Sequence, residues 1–422
     1  MPTSRIQIPY GSEFLNLEVA ADNLVDIVRP TKTPAASDPE AVIERALKEP
    51  VGATFPAVSE SSRITIVVDD ATRVTPTRTL LFVLLRRLHN AGAKKNQITV
   101  GVANGLHEPG DNETLLGLLG EQVMHDYRVM NHNPRESSNL TYLGDTKRGT
   151  PVDLNTAASE TNIRILTGII EPHQLAGYSG GVKALVPGLA SVRTVTANHS
   201  LMLDERVHAG NIQDNPLRND LEEAVSLTHA SGRNFIVNSI VNDERQIVNV
   251  VTGDEIQAHR KGAALSREIS SYKVKELIDV VIASPGGYPR DINLYQSQKA
   301  LGHIEQIITK GGVAVLVAEC RNGVGSKTCE EWMARDPEPV QLIQRLKDEG
   351  FNMGAHKAYQ LARFMVKANL ILVSKLPREL TDKMHLRTCP TLEQAYREAL
   401  EIAGRDSRVV VCPQAAATLP IL

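Results

Sequence analysis

The chain has 422 residues, of which 42% are apolar and 23% are charged, and its formal net charge at pH 7 is −3. This composition is typical of a globular protein with more than one domain and excludes a disordered chain. The absence of a basic excess argues against binding to nucleic acid through its phosphates. Neither a signal-peptide core nor an apolar run of membrane-spanning length is present, so we expect a cytoplasmic protein with no membrane partner.

The first half of the chain alternates short apolar runs with polar loops. The runs "RITIVVD" at Arg63, "QITVGVA" at Gln97 and "IRILTGII" at Ile163 are rich in β-branched residues and predict strands. Between the first two, "TLLFVLLRRLHNAG" repeats leucine at helical spacing and predicts a helix that stops at Gly92. The stretch 235–253 predicts a hairpin that leads into a further helix.

The second half repeats this alternation with regular spacing. The runs "LIDVVIA", "GGVAVLV", "NLILV" and "RVVVC" are separated by helical segments and predict a doubly wound, mostly parallel sheet. We therefore expect two α/β domains, residues 1–273 and 274–422, with the active site in the cleft between them. The proline-rich segment 28–56 is expected to be loosely structured.

Polar and ionisable residues concentrate in the loops that follow four of the predicted strands. In open α/β sheets, ligands bind beyond the carboxyl ends of the strands, so these loops are the candidate ligand contacts. The loops are Asp69 to Arg78, Asn104 to Gly110, Glu171 to Lys183 and Ser284 to Lys299.

Each of these loops also has a purely structural interpretation. Asp70 and Arg73 could pair with each other or cap a helix, or Arg73 could hold a carboxylate with its planar guanidinium. His107 could be a satisfied loop histidine or a general acid or base. Asp69 and Glu108 are expected to be solvated or capping residues.

The loop before Lys183 is not a Walker A motif, because Val182 precedes the lysine and Ala184 follows it. The backbone N–H groups of Ser179, Gly180 and Gly181 suit a phosphate or a plain tight turn.

A nicotinamide dehydrogenase is weakly supported, because Gly323 and Gly325 are not followed by the third glycine of the dinucleotide fingerprint. His173 and His199 are 26 residues apart, which is not the spacing of a zinc motif. Gln296 and Lys299 share one face of a predicted helix start, where a solvated first turn is the alternative.

The four cysteines are too scattered for a disulfide framework or a zinc site and are expected to be reduced and core-filling. They are Cys320, Cys329, Cys389 and Cys412. His303, His356 and Lys357 are expected on helix surfaces.

Five motifs in fixed order resemble one family, the nickel-dependent lactate racemases, over nearly the whole chain. They are "DDATRVTP", "NGLHEPG", "EPHQLAGYSGGVKALVPG", "TANHS" and "DINLYQSQKA". The resemblance implies nickel held by a nickel-pincer nucleotide, a pyridinium-3,5-bisthiocarboxylic acid mononucleotide joined covalently to a lysine. It also implies separate proteins that make this cofactor.

The resemblance assigns a role to each matching position. Lys183 falls on the covalent tether and His199 on the nickel ligand, while His107 and His173 fall on the acid/base pair. Asp70 falls beside the cofactor, and Ser179, Gly180 and Gly181 suit its phosphate. The substrate contacts fall on Arg73, Gln296 and Lys299.

The leading hypothesis is a racemase or epimerase of a 2-hydroxy acid, with lactate as the default substrate and a 2-keto acid as intermediate. The family often has Thr-His-Arg where this chain has Leu106-His107-Glu108, which leaves the substrate open. One alternative is a larger acid such as a sugar acid or malate. Another is a non-catalytic module that binds a nucleotide.

Overall fold

The computed structural model describes residues 2–422. The chain forms two compact units, one made of the residues up to 31 together with 270–422 and the other of residues 32–269. We call them the split unit and the central unit. Both mix helices with largely parallel sheets, which confirms the α/β prediction.

The elements follow one another along the chain in three stretches. The N-terminal stretch contains β1 (Thr3–Tyr10), β2 (Glu13–Ala20) and β3 (Leu24–Ile27). The helices of the central unit are α1 (Pro39–Lys48), α2 (Thr77–Asn90), α3 (Asn112–Leu119), α4 (Glu121–Asp126), α5 (Thr156–Ser159), α6 (Val192–Ser200), α7 (Pro216–Ser226) and α8 (Gln257–Ser270). Its strands are β4 (Ile64–Asp69), β5 (Ile98–Ala103), β6 (Arg128–Asn131), β7 (Leu140–Asp145), β8 (Pro151–Asn155), β9 (Ile163–Ile169), β10 (Pro172–His173), β11 (Gly177–Tyr178), β12 (Arg233–Val241) and β13 (Ile247–Gly253).

The C-terminal stretch completes the split unit. Its strands are β14 (Ser271–Lys273), β15 (Ile278–Ala283), β16 (Ile308–Val317), β17 (Asn369–Val373), β18 (Arg387–Thr388), β19 (Val409–Cys412) and β20 (Leu419–Ile421). Its helices are α9 (Leu294–Ser297), α10 (Lys299–Ile304), α11 (Lys327–Arg335), α12 (Pro339–Glu349), α13 (Ala355–Lys367), α14 (Arg378–Lys383) and α15 (Leu392–Ala403).

The central unit is built on a sheet with the strand order β13–β12–β9–β4–β5–β6. Its strands are parallel except for β13, which pairs antiparallel with β12 and confirms the predicted hairpin. Every residue of β9 is buried, as expected for a parallel strand covered on both faces. The leucines of α2 pack into the core beside this sheet, and the helix stops before Gly92, where φ is 92°.

The segment 28–56 is more ordered than its proline content suggests, and the expectation of loose structure is wrong. It contains α1, which begins at a capping Asp38 followed by Pro39 at the first helical position. Ile43 and Leu47 lie four residues apart on one face of α1 and are buried in the same core as α2. Pro39 therefore lies at the start of α1, where it favours the helix.

The split unit is built on a parallel sheet with the strand order β18–β17–β16–β15–β19–β3. The predicted doubly wound sheet is confirmed, with β3 added at one edge through pairing with β19. The hairpin of β1 and β2 buries Ile8 and Leu17 in the same core as Ile282 and Val315. The residues before 32 therefore group with the C-terminal stretch, which differs from the expected division into 1–273 and 274–422.

Three side chains expected on helix surfaces are buried instead. His303 is 3% exposed, and His356 and Lys357 are each 6% exposed. The Nδ1–H of His303 donates to the carbonyl oxygen of Ala415 at 2.8 Å, and burial lowers the pKa of this histidine to about 4. A polar side chain that meets a carbonyl across the fold cannot be recognised from helical periodicity.

The four cysteines are free and buried, as expected. Within residues 2–422, none of the helices has the length and apolar character needed to cross a membrane.

Gly253, at the end of β13, offers a test of the packing around α1. Its φ is 130°, and a Cβ there would lie 2.0 Å from the carbonyl oxygen of Val51. We expect Gly253→Ala to lower the free energy of unfolding by about 2 kcal/mol or more, measured by urea denaturation. The control Gly117→Ala, in α3 with nothing within 4 Å of the added methyl, should raise stability by up to about 1 kcal/mol. Equal effects at both positions would contradict this packing.

Candidate active site

The predicted site loops of the central unit leave one edge of its sheet. Strands β9, β4 and β5 are neighbours and run parallel, with Ile64 paired to both Ile163 and Ile98. Their carboxyl ends therefore lie side by side, and the loops after them carry Asp70, His107 and Lys183. Ligands of open α/β sheets bind at this edge.

Asp70 and His107 form a close hydrogen-bonded pair across two of these loops. The Nδ1 of His107 lies 2.6 Å from Oδ2 of Asp70, and the N–H and hydroxyl of Thr72 both donate to Oδ1, at 2.8 and 2.5 Å. Burial raises the pKa of Asp70. The hydrogen bonds from His107 and Thr72, together with the charges of His107 and Arg73, lower the pKa by more than burial raises it, so the net shift is downward. The carboxylate is therefore ionised at neutral pH, and the Nδ1–H of His107 donates to it.

Asp70 is engaged by three neighbouring residues through its side chain and its backbone. Its carboxylate serves His107 and Thr72, while its backbone carbonyl accepts the N–H of Arg73 at 3.1 Å. The side chain of His107 is 51% exposed, against 8% for Asp70. A buried carboxylate thus orients an accessible imidazole, which is the geometry of a general base held by a third group.

Lys183 lies in a short 3-10 helix, Gly181–Ala184, and its side chain is largely shielded from solvent although the residue keeps some exposed surface. The pKa of its amine lies well below the usual value, first because of burial and then because of the positive charges of Arg73 and Arg218. The charges of Asp69 and Glu171 oppose this shift without cancelling it. A lysine that loses its proton this readily is a candidate nucleophile.

Two further acidic residues of these loops, Asp69 and Glu108, have different surroundings. Asp69 accepts a hydrogen bond from the hydroxyl of Thr75 at 2.5 Å, and burial raises its pKa. It is therefore not the solvated residue that the sequence suggested. Glu108 is exposed and pairs with Arg135 at 2.9 Å, as expected for a solvated side chain.

Two of the three backbone N–H groups predicted to cradle a phosphate are engaged within the chain. The N–H of Ser179 donates to the carbonyl of Glu171 at 2.9 Å, and the N–H of Gly181 donates to Oδ1 of Asn238 at 2.7 Å. These hydrogen bonds fix the loop before Lys183. A phosphate contact for Ser179, Gly180 and Gly181 stays a prediction.

Three residues that the sequence did not single out support this loop. Asn238 accepts from Gly181, the Nε2–H of His259 donates to the carbonyl of Ser179 at 2.8 Å, and Arg218 lies beside Gly181. A Cβ at Gly181 would lie 2.8 Å from Cδ2 of His259 and 3.1 Å from Nη2 of Arg218. Asn238 could have been noticed, because it interrupts the apolar run "FIVNSIV". Arg218 and His259 lie on mixed helices that carry no such signal.

His173 lies at the tip of a small hairpin formed by β10 and β11. Its Nδ1 accepts hydrogen bonds from the backbone N–H groups of Leu175 and Ala176, each at 3.1 Å. These two bonds fix the orientation of the ring.

His199 lies in the last turn of α6 and is partly exposed. The neighbouring Asn198 is buried and donates to Asp220 of α7 at 2.8 Å, which fixes this turn. In the described part of the chain, no group of three or more His, Cys, Asp or Glu side chains is arranged to hold a metal ion.

Gln296 and Lys299 belong to the split unit. They lie in α9 and at the start of α10, in the loop region after β15, and the side chain of Asn293 caps α9 by accepting from the N–H of Gln296 at 2.9 Å. Strand β15 is paired with β16 on one side and β19 on the other, so the strand order reverses there. Such a switch point is the usual ligand position of a doubly wound sheet.

Comparison with known families agrees with this architecture. A family model described as the lactate racemase N-terminal domain matches residues 10–210, and one described as the lactate racemase C-terminal domain matches residues 274–419. The class that the fold and site define is thus an isomerase of the racemase type. The chain belongs to the lactate racemase family.

Two curated relatives support this assignment over their whole length. The chain is 30% identical to a lactate racemase of Thermoanaerobacterium thermosaccharolyticum over 424 residues, with 97% of each chain covered. It is 29% identical to a lactate racemase of Lactiplantibacillus plantarum over 425 residues, again with 97% of each chain covered.

Solved structures show the same fold. The lactate racemase apoprotein of T. thermosaccharolyticum superposes with a TM-score of 0.92 at 28% identity, covering 99% of this chain and 100% of that one. A protein of Thermotoga maritima gives a TM-score of 0.66 at 17% identity, covering 92% of this chain and 99% of that one, and shares the fold alone.

The lowered pKa of Lys183 predicts unusual reactivity of its amine. At neutral pH a larger fraction of this amine is uncharged than in an ordinary lysine, so a small acylating reagent should modify Lys183 first. Lys95 is the internal reference, because its pKa is raised by its hydrogen bond to Asp126. Mass spectrometry of peptides after brief treatment with acetic anhydride measures both residues in one sample. Modification of Lys95 at the same rate or faster would contradict the predicted shift.

Proposed function

We propose that this chain racemises a 2-hydroxy acid, with lactate as the default substrate, using nickel and a nickel-pincer nucleotide attached to Lys183. The observation that carries the proposal is the grouping at one sheet edge of an imidazole oriented by a buried carboxylate and a lysine with a lowered pKa. Membership of the lactate racemase family supplies the reaction class.

The residues present suit such a cofactor. A readily deprotonated amine is what covalent attachment of an acyl-type group requires, and Lys183 has one. His199 offers one imidazole, and the described side chains offer no complete metal site beside it. Nickel accepts planar coordination by nitrogen and soft sulfur donors, so a sulfur-bearing nucleotide plus one histidine is a sufficient donor set.

The chemistry explains why a hydride acceptor is needed. The carbon-bound hydrogen of a 2-hydroxy carboxylate is a very poor acid, because the neighbouring carboxylate is already negatively charged. The cofactor supplies an electron-poor centre that accepts this hydrogen as hydride. The task left to the chain is to remove and return the hydroxyl proton on each side of the substrate.

His107 is assigned the proton on one side. Its Nδ1–H is held by the ionised Asp70, so its Nε2 carries the lone pair that accepts the hydroxyl proton. The resulting imidazolium stays paired with the carboxylate, which stabilises the charge as it forms. The ring is half exposed while the carboxylate is buried, so the ring is accessible to a substrate.

His173 is assigned the second side, because it lies on a different loop of the same sheet edge. Arg73, Gln296 and Lys299 are assigned to the substrate carboxylate. Two cationic side chains and an amide provide charge-assisted hydrogen bonds that hold the acid while its planar 2-keto form turns over. We expect separate proteins to make the cofactor.

The first test of the function is the reaction itself. Protein purified from a host that makes the cofactor should convert either enantiomer of lactate into the racemate, measured by chiral chromatography. Nickel removal should abolish the conversion. A panel of enantiopure 2-hydroxy acids, including malate and sugar acids, then identifies the substrate. Tight nucleotide binding with no loss of optical purity for any member would favour a non-catalytic module.

The second test concerns the two histidines. We expect His107→Gln and His173→Gln each to lower the racemisation rate by about 100- to 10,000-fold, because each removes an acid/base group. Nickel content, measured by atomic emission, should stay unchanged in both.

His229→Gln is the matched control. His229 is also 51% exposed and pairs with a buried carboxylate, Glu255, at 2.5 Å, but it lies at the opposite edge of the sheet, before β12 begins. This variant should keep the parental rate. A His107 variant that also keeps it would remove that residue from the reaction.

A further inference from the structure

The two candidate acid/base histidines meet opposite hydrogen-bonding partners at the same ring atom. Nδ1 of His107 faces the carboxylate of Asp70 at 2.6 Å. Nδ1 of His173 faces two backbone N–H groups, those of Leu175 and Ala176, at 3.1 Å each. One ring is therefore held by an acceptor and the other by donors.

These partners fix where the single proton of each neutral ring lies. An ionised carboxylate only accepts hydrogen bonds, so Nδ1 of His107 carries the proton and its Nε2 has the lone pair. A backbone N–H only donates, so Nδ1 of His173 has the lone pair and its Nε2 carries the proton. The two rings are in opposite tautomers.

The same partners respond differently when a second proton arrives. Protonation of His107 at Nε2 leaves its bond to Asp70 in place and turns it into a pair of opposite charges. Protonation of His173 at Nδ1 would set a new N–H against the N–H groups of Leu175 and Ala176, so both hydrogen bonds would have to break. His107 can therefore gain a second proton and keep its hydrogen bond, whereas His173 would lose both of its hydrogen bonds at Nδ1.

We infer that the resting enzyme is asymmetric, with His107 as the proton acceptor and His173 as a hydrogen-bond donor through its Nε2–H. His173 can accept a substrate proton at Nε2 only after its own ring proton has moved to Nδ1, which requires Leu175 and Ala176 to release that atom. This rests on the proposed function, in which both rings touch the substrate. In either direction the substrate hydroxyl gives its proton to one histidine. The cofactor, when bound, would supply the acceptor for the carbon-bound hydrogen and its electron pair, which balances the oxidation of the alcohol to a 2-keto acid.

The asymmetry has a kinetic consequence. The enantiomer whose hydroxyl faces His107 meets a ready base, whereas its mirror image waits for the loop at 173–176 to rearrange. The two enantiomers have equal free energies, so their equilibrium mixture is racemic. This requires kcat/KM to be the same for both enantiomers. The difference therefore appears in the first oxidation of each enantiomer on the enzyme.

The tautomers can be measured on the whole chain without cofactor. In protein labelled with ¹⁵N-histidine, two-bond couplings to the ring protons tell Nδ1 from Nε2, and the ¹⁵N shift shows which nitrogen is protonated. We expect Nδ1–H for His107 and Nε2–H for His173 in the neutral form of each ring, identified by a ¹⁵N shift that shows a single ring proton. His107→Gln and His173→Gln assign the signals.

If a variant fails to fold, couplings across the hydrogen bonds from the Leu175 and Ala176 amides identify His173 in the parent protein. The same tautomer in both rings would overturn the inference.

The second arm uses the loaded enzyme in excess over each enantiomer of its substrate. Rapid quenching followed by measurement of the 2-keto acid should give a first-turnover rate several-fold faster for one enantiomer than for the other. Equal first-turnover rates would overturn the inference while leaving the racemase assignment intact. Absence of racemisation with opposite tautomers would overturn the proposed function and leave the tautomer assignment standing.

Discussion

The in-register pairing of three parallel strands is the constraint on which the candidate site depends. Strands β9, β4 and β5 begin together and end together, so the chain must leave the sheet three times at one edge. The loop after β4 carries Asp70 and Arg73, the loop after β5 carries His107, and the loop after β9 carries His173 and Lys183. Residues more than 100 positions apart become neighbours because of backbone hydrogen bonds between strands whose own side chains are apolar.

Burial acts in opposite ways on the two charged groups at this edge. Asp70 is buried but keeps its charge, because His107 and Thr72 donate to it and Arg73 lies nearby. Lys183 is held among positive charges, so burial and repulsion both favour its neutral form. Burial alone would favour the neutral form of both groups. Asp70 departs from this by staying ionised, whereas the positive charges around Lys183 add to the effect of burial. Both suit the proposed chemistry.

The sequence predicted the sheets well, because apolar runs bounded by Gly, Pro and polar clusters depend on local pattern. It failed where a distant contact decides the outcome, as for the N-terminal strands that join the split unit, the helix beginning at Pro39, and the buried His303. The sequence placed His107 and His173 in the loops that follow β5 and β9. Their tautomers depend on which partner meets Nδ1, and spacing along the chain carries no information about that.

The central claim is that catalysis runs through a cofactor fixed to Lys183 at this sheet edge. The most direct measurement compares the racemisation rate with the fraction of Lys183 that carries the adduct, by peptide mass spectrometry, across preparations with graded cofactor loading. The account predicts a rate proportional to the modified fraction, reaching zero when Lys183 is unmodified. Racemisation by protein whose Lys183 is entirely free would contradict it.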